Sequence, residues 1–235
     1  MLSSFTSSFG FGKRSLTATS AVLVLELDAA NYSGSGNWLD ETVNNNDASL
    51  QGTPAHTSNT HFDLVPGDGD FFSISDNSVL DSMSQLSVQM WINIDTINAS
   101  GPNMLYSKRG TTSDGYVAFF TTTGWTFRFG TGTGTGFTYS TAPTTGAWQQ
   151  FVVTIGSSGS KLYINGSEVT NSVYTGNNSN IITSAALDLF NVNPRPQTGP
   201  VTMDGKVGVV KLYNGVLSSA DVTNEFNTYK TRYGL

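Results

Sequence analysis

Two carboxylates stand two residues apart at Glu26 and Asp28. If the apolar residues before them form a strand, alternation puts both on one side. Acid/base cleavage of a glycosidic bond needs two carboxyls about 5–10 Å apart across a sugar, so this pair is weighed first. Its plainer reading is that Asp28 ends a strand and caps a loop. The next polar stretch, residues 37–48, holds Asp40, Glu41, Asn44, Asn45, Asn46 and Asp47. Ca²⁺ takes about six to eight oxygen ligands, which makes Asp40, Asn44, Asn46 and Asp47 candidate metal ligands. The spacing is not that of an EF-hand, and a loop of Asx turns accounts for the same residues.

Aromatic faces stack on sugar rings, so the tryptophans come next. Trp38 and Trp125 lie beside expected loops and are the candidate ligand-binding residues. Trp91 and Trp148 belong to strong strands and are expected in the core. His56 and His61, five residues apart, would face opposite sides of a strand and read as surface histidines. The Gly/Thr run at 130–136 lacks the Lys-Ser/Thr of a phosphate loop. No Gly-x-Ser-x-Gly elbow is present. With no cysteine in 235 residues, thiolate nucleophiles, thiolate metal sites and disulfides are excluded.

These residues must be held by something, and the patterning points to β-sheet. Residues 148–169 alternate through Phe151, Val153 and Ile155, turn, alternate again through Leu162 and Ile164, and reach Asn165-Gly166. That pair tolerates the positive φ angles of a tight hairpin. Residues 86–94 place Leu86, Val88, Met90, Ile92 and Ile94 on one face. Further strands are expected at 21–28, 71–74, 103–107, 116–120, 125–129, 187–190 and 206–213. After Asn214-Gly215, Ser218 or Ser219 can cap a helix carrying Asp221 in its first turn and Val222 and Phe226 on one side.

Composition narrows the partners. Charged residues make up 12% of the chain and the formal net charge is −6, which disfavours nucleic acid because phosphate binding needs clustered Lys and Arg. The pairs Lys13-Arg14 and Lys108-Arg109 read as solvated surface. No apolar run approaches the ~20 residues of a membrane span, and the N-terminus lacks the pattern of a signal peptide. Residues 1–20 are rich in Ser, Gly and Phe with no sustained period. They read as an arm with Phe5, Phe9 and Phe11 as docking anchors and Gly10 and Gly12 letting the backbone lie close to a surface, either that of another chain or that of the arm's own domain.

Five segments together resemble the laminin-G-like, concanavalin A-like jelly rolls. They are LVLELDAANYSGSGNWLDETVNNNDASLQG at 23–52, GDGDFFSI at 67–74, LSVQMWINI at 86–94, the 148–169 hairpin and GKVGVVKLYNGVLSSADV at 205–222. The resemblance covers residues 23–235 in order and is specific for fold, not for function. It implies an all-β, two-sheet concanavalin A-like jelly-roll sandwich over 21–235 with one short C-terminal helix; the N-terminal extended arm over 1–20 lies outside it. Glycosidases of that superfamily carry a Glu-x-Asp-x-x-Glu strand. Here Asn31 replaces the third carboxylate and the string falls in the first strand, so no catalytic activity is expected. Many members hold a calcium between loops like 37–48.

Short Ser/Gly/Phe arms on such domains resemble structural proteins of tailed phages. The expectation is therefore a non-enzymatic virion protein, assembled in the host cytoplasm and present in many copies or as a homo-oligomer. It would decorate the capsid or sit in the tail or collar, fixed to other virion proteins by its arm, with an outer domain that binds glycans. The alternatives are a free carbohydrate-binding module or lectin and, behind it, a glycan hydrolase.

Overall fold

The computed structural model describes residues 21–81, 83–109, 115–130, 136–157, 159–169, 183–191 and 202–235. Phe5, Phe9 and Phe11 lie outside the described residues, as does 131–135 of the Gly/Thr run. In chain order the first strands are β1 (Val22–Asp28), β2 (Ala48–Gln51), β3 (Ala55–Thr57), β4 (His61–Leu64) and β5 (Phe71–Ile74). They are followed by β6 (Leu86–Thr96), β7 (Asn103–Arg109), β8 (Gly115–Thr121), β9 (Gly124–Gly130) and β10 (Gly136–Tyr139). The last are β11 (Trp148–Gly156), β12 (Gly159–Ile164), β13 (Ser167–Val169), β14 (Leu187–Leu189) and β15 (Asp204–Asn214). One helix, α1 (Ser219–Tyr229), ends the secondary structure.

The strands form two antiparallel sheets, as expected of a jelly-roll sandwich. One runs β13-β12-β11-β6-β15-β4-β3, with β1 also pairing with β15. The other runs β10-β9-β8-β7-β14-β5-β2. Alternation explains the layering. Leu86, Val88, Met90, Ile92 and Ile94 of β6 face inward with Phe151, Val153 and Ile155 of β11. Tyr116, Ala118 and Phe120 of β8 and Trp125, Phe127 and Phe129 of β9 meet them from the other sheet. Each large apolar side chain removed from water this way contributes about 1.5–3 kcal/mol.

Local chemistry sets the turns. Asn165 and Gly166 both take positive φ, 50° and 76°, the backbone of a two-residue hairpin whose twist matches its strands. Asn165 Oδ1 accepts from Gln150 N at 2.8 Å and ties the turn to β11. Ser218 begins α1 with a capping box: its hydroxyl accepts from Asp221 N at 3.1 Å, and the Asp221 carboxylate accepts from Ser218 N at 2.9 Å. Two of the helix's unpaired amides are thereby satisfied.

Three expectations about placement are corrected. Trp38 and Trp125, expected at loop surfaces, are 1% and 2% exposed. Trp38 packs between Phe62 and Phe72, and Trp125 lies against Phe120 and Phe151. Sequence nearness to a loop does not set exposure, because the indoles fold back between the sheets. Trp148, expected in the core, is half-buried on the outer face of the eight-stranded sheet. Lys108, expected on the surface, is fully buried.

Candidate functional site

The outer face of the eight-stranded sheet is laid out in transverse rows, because residues directly opposite across antiparallel strands share a face. One row reads Gln89 on β6, Lys211 on β15 and Glu26 on β1. The next reads Gln150 on β11, Trp91 on β6, Val209 on β15 and Asp28 on β1. A third reads Trp148 on β11, Asn93 on β6, Lys206 on β15 and Asp63 on β4.

The C-terminal segment covers the first two rows. Lys211 Nζ lies 3.0 Å from Glu26 Oε1 and 3.0 Å from Glu225 Oε2 of α1. Arg232 Nη1 donates to Asp28 Oδ1 at 2.6 Å, and the Tyr229 hydroxyl donates to Glu26 Oε1 at 3.3 Å. Asp28 Oδ1 also accepts from Ala30 N at 2.9 Å. Both carboxylates weighed as an acid/base pair thus serve as counter-ions that hold the chain's end onto the sheet. Burial at the loop edge pushes the Glu41 carboxyl up, Glu26 and Asp28 add to this, and the Asn31 hydrogen bond opposes it. Glu41 is nevertheless exposed, while Glu26 and Asp28 sit against α1 rather than across a cleft from it.

The 37–48 loop is organised around Asp40. Its Oδ1 accepts from Glu26 N and Thr42 N, both at 3.0 Å. Its Oδ2 accepts from Thr42 Oγ1 at 2.8 Å and Asn46 N at 2.9 Å. Four hydrogen bonds fill the lone-pair positions of one carboxylate. Asp47 Oδ1 accepts from Asp40 N, Asn46 Oδ1 accepts from Asn77, and the amide groups of Asn44 and Asn46 donate to Val24 O. These four residues are brought together, but as the interior of an Asx loop. They do not fit a calcium ion, which would need lone pairs that Asp40 has already committed. Among the described residues, no group of three His, Cys, Asp or Glu is placed to hold a metal.

The third row is left half-exposed, and a run of aromatic rings leads to it. Phe226 of α1 stacks on Trp91 with centroids 5.8 Å apart. Trp91 stacks on Tyr233 at 4.7 Å, and Tyr233 lies 4.3 Å from Trp148. His61 of β4 then meets Trp148 edge-on at 5.6 Å. The hydroxyl end of the Tyr233 ring comes down on Gly208, where the register of β15 shifts between Val207 and Val209. Its hydroxyl reaches toward Thr60 O at 3.5 Å. Only a residue without a side chain lets the phenol lie on the strand.

Burial holds the His61 imidazole below its ordinary value, Lys206 and His56 act in the same direction, and Asp63 and Asp95 oppose them. Lys206 Nζ pairs with Asp95 Oδ2 at 2.5 Å and keeps 24% of its side chain exposed. The row therefore offers one indole fixed on two sides, and beyond it an amide, an ammonium and two carboxylates. It spans three interstrand spacings, roughly 14 Å. An aromatic face with hydrogen-bonding groups alongside is the chemistry that holds a neutral sugar. None of the row's polar members stood out in the sequence, and Trp148 was assigned to the core. The alternation Trp91, Asn93 opposite Trp148, Gln150 was the available signal.

Comparisons with known proteins extend this picture. Residues 66–223 match Laminin_G_3, described as the concanavalin A-like lectin/glucanases superfamily. A sequence comparison with curated proteins returns no match. Among solved structures, the binding domain of Paraclostridial Mosquitocidal Protein 1 superposes with a TM-score of 0.67 at 16% identity, covering 88% of this chain and 52% of that one. Domain 4 of AbnA, an extracellular arabinanase from Geobacillus stearothermophilus solved with arabinotriose, gives 0.60 at 18% identity, covering 88% and 98%. A Trypanosoma rangeli sialidase gives 0.62 at 18% identity, covering 88% and 33%. The chain thus spans about half the toxin binding domain, a third of the sialidase and nearly all of the arabinanase domain. At these identities the likeness is one of fold.

Proposed function

This chain belongs to the concanavalin A-like lectin/glucanase superfamily, and on that premise we propose that it is a non-enzymatic recognition domain whose ligand is a glycan. The observation that carries the reading is Trp148, half-exposed and held in place by Tyr233 and His61 beside Asn93, Lys206 and Asp63. A ring fixed in advance loses little freedom when a sugar stacks on it. The row's length suits a short oligosaccharide rather than a single sugar ring. Ion pairing of Glu26 with Lys211 and of Asp28 with Arg232 supports the non-catalytic half of the proposal. Similarity to a toxin binding domain and to an arabinanase domain solved with arabinotriose supports the recognition half.

The test is a glycan array probed with the full chain and with Trp148→Ala. The expected result is a small set of bound glycans lost in the variant while its circular dichroism is unchanged. A bound glycan whose affinity survives Trp148→Ala would remove the site, and an array blank for the wild type would remove the function.

The fuller form of the proposal places the domain on a tailed-phage particle, in capsid, tail or collar, held by residues 1–20. Its support is the sequence: low charge, no cysteine, and Phe5, Phe9 and Phe11 in a Ser/Gly-rich arm. Deleting residues 1–20 should leave glycan binding intact and abolish incorporation into particles. Full incorporation of the deleted chain would defeat this part alone.

A further inference from the structure

Lys108 has no role in the recognition row, and its surroundings are unusual. Its side chain is 0% exposed and projects from β7 into a shell of four oxygens. Asp76 Oδ1 lies at 2.6 Å, Ala185 O at 2.7 Å, Asp81 Oδ1 at 3.0 Å and Thr183 O at 3.1 Å. An ammonium has three protons. Asp76, Thr183 and Ala185 take one each. Asp81 Oδ1 is in ion-pair range but accepts no hydrogen bond, and its side chain is only 9% exposed. The shell therefore holds one more acceptor than the lysine can serve, and two carboxylates against one positive charge.

The oxygens come from separate stretches of chain. Asp76 and Asp81 flank the short turn Ser78–Leu80 that follows β5. Thr183 and Ala185 lead into β14, which pairs with both β5 and β7. The ammonium thus joins two loops. The nearby Tyr116 hydroxyl donates to Leu80 O at 3.2 Å and is held in its neutral form by burial first, with Asp81 and Asp76 adding to it. It supplies no charge to balance the second aspartate. Two carboxylates and two backbone carbonyls converging from separate loops on one point are what a hard divalent cation selects. Nitrogen-to-oxygen distances of 2.6–3.1 Å need to contract by only a few tenths of an ångström to reach the roughly 2.3–2.6 Å of Ca²⁺.

We infer that the space around Lys108 Nζ is a structural cation site in which the tethered ammonium stands where a free divalent ion would, so that shortening the lysine opens it to Ca²⁺. This inference is independent of the glycan reading. Water filling the volume vacated by the lysine chain completes the coordination that four protein oxygens begin.

The experiment uses the full chain as wild type, Lys108→Ser and the double variant Lys108→Ser/Asp81→Asn, each first dialysed against chelator. Thermal unfolding and isothermal titration are then followed with CaCl₂, with MgCl₂ as the comparison. The wild type should show no Ca²⁺-dependent change in Tm. Lys108→Ser should lose about 10 °C in chelator, because the nearly buried Asp81 carboxylate, with the more exposed Asp76 beside it, is left without its counter-ion. Ca²⁺ should recover most of that loss saturably, and Mg²⁺ less, because it demands a tighter octahedral shell. The double variant should fold without Ca²⁺ and respond to it at least tenfold more weakly. A Lys108→Ser chain that folds and ignores Ca²⁺, or that stays unfolded in its presence, overturns the inference. So does a Lys108→Met chain as stable as the wild type, since the site would then have no need of a cation.

Discussion

Gly208→Ala is a one-carbon change whose effect can be worked out before it is made. A Cβ at position 208 would overlap the Tyr233 hydroxyl oxygen and stand 2.5 Å from Cζ and 2.9 Å from Cε1 of that ring. The ring cannot slide aside, because Trp91 lies 4.7 Å away and Trp148 4.3 Å away. It must lift off the strand. Two aromatic pairs at about 0.5–1.5 kcal/mol each are then lost. Uncovering roughly 50 Å² of Trp91 and Trp148 adds about 1.3 kcal/mol. The sum is about 2–4 kcal/mol, or roughly 5–15 °C in Tm for a chain of this size. Urea unfolding followed by tryptophan fluorescence measures it, and the native emission should shift to the red as Trp91 and Trp148 gain water. A double-mutant cycle with Tyr233→Ala isolates the cause. On that background Gly208→Ala should cost under about 0.5 kcal/mol, since nothing then lies on the strand. An equal cost with and without the tyrosine ring would refute the reasoning, and glycan affinity unchanged in Gly208→Ala would detach Tyr233 from the recognition row.

Two further outcomes are expected. The His61 imidazole is held below the ordinary 6.5 chiefly by burial, so the unfolded chain binds protons more readily than the folded one; His61's contribution is intact above that value and is lost as pH falls through the lower, folded one. Unfolding curves from pH 7 to pH 5 should show the wild type losing more stability than His61→Gln, and parallel curves would remove His61 from the account. Asp40→Ala strips acceptors from three backbone amides and one hydroxyl and should cost about 3 kcal/mol by denaturant unfolding, with faster hydrogen exchange at Asn46 N; a loss below about 1 kcal/mol would mean the loop is not organised by this carboxylate.

The fold was legible because its strands carry period-two alternation strong enough to read locally. β6, expected at 86–94, runs Leu86–Thr96, and β15, expected at 206–213, runs Asp204–Asn214. Asn165-Gly166 specified its turn through its own backbone preference, with Gln150 only fastening it to β11, and Ser218 specified its cap through hydrogen bonds to Asp221 three residues on. The recognition row was not legible for the opposite reason. Trp91 and Tyr233 are far apart in sequence, and only the pairing of β6 with β15 and the return of α1 over the sheet bring them together. Lys108 looked like half of a charged surface pair because its counter-ions, Asp76 and Asp81, lie on another loop. Trp38 and Trp125 misled because an indole can reach inward from the end of a strand, and sequence shows the residue's position rather than its direction.

The position of β15 has a consequence for how the chain reaches this state. It is the last strand in sequence, yet it lies inside its sheet, paired with β6 along one edge and with β4 and β1 along the other. Until residues 204–214 arrive, β6 with β11–β13 and β1 with β3–β4 have no common partner. Such long-range closures are slow, because loop entropy must be overcome before any contact rewards it. Meanwhile β6, with Val88, Met90 and Ile92 on one face, presents an unpaired apolar edge of the kind that templates association. Chains stopped short of β15 should therefore aggregate rather than persist as smaller folded units. Refolding yield should fall with protein concentration for the full chain as well if residues 204–214 pair last.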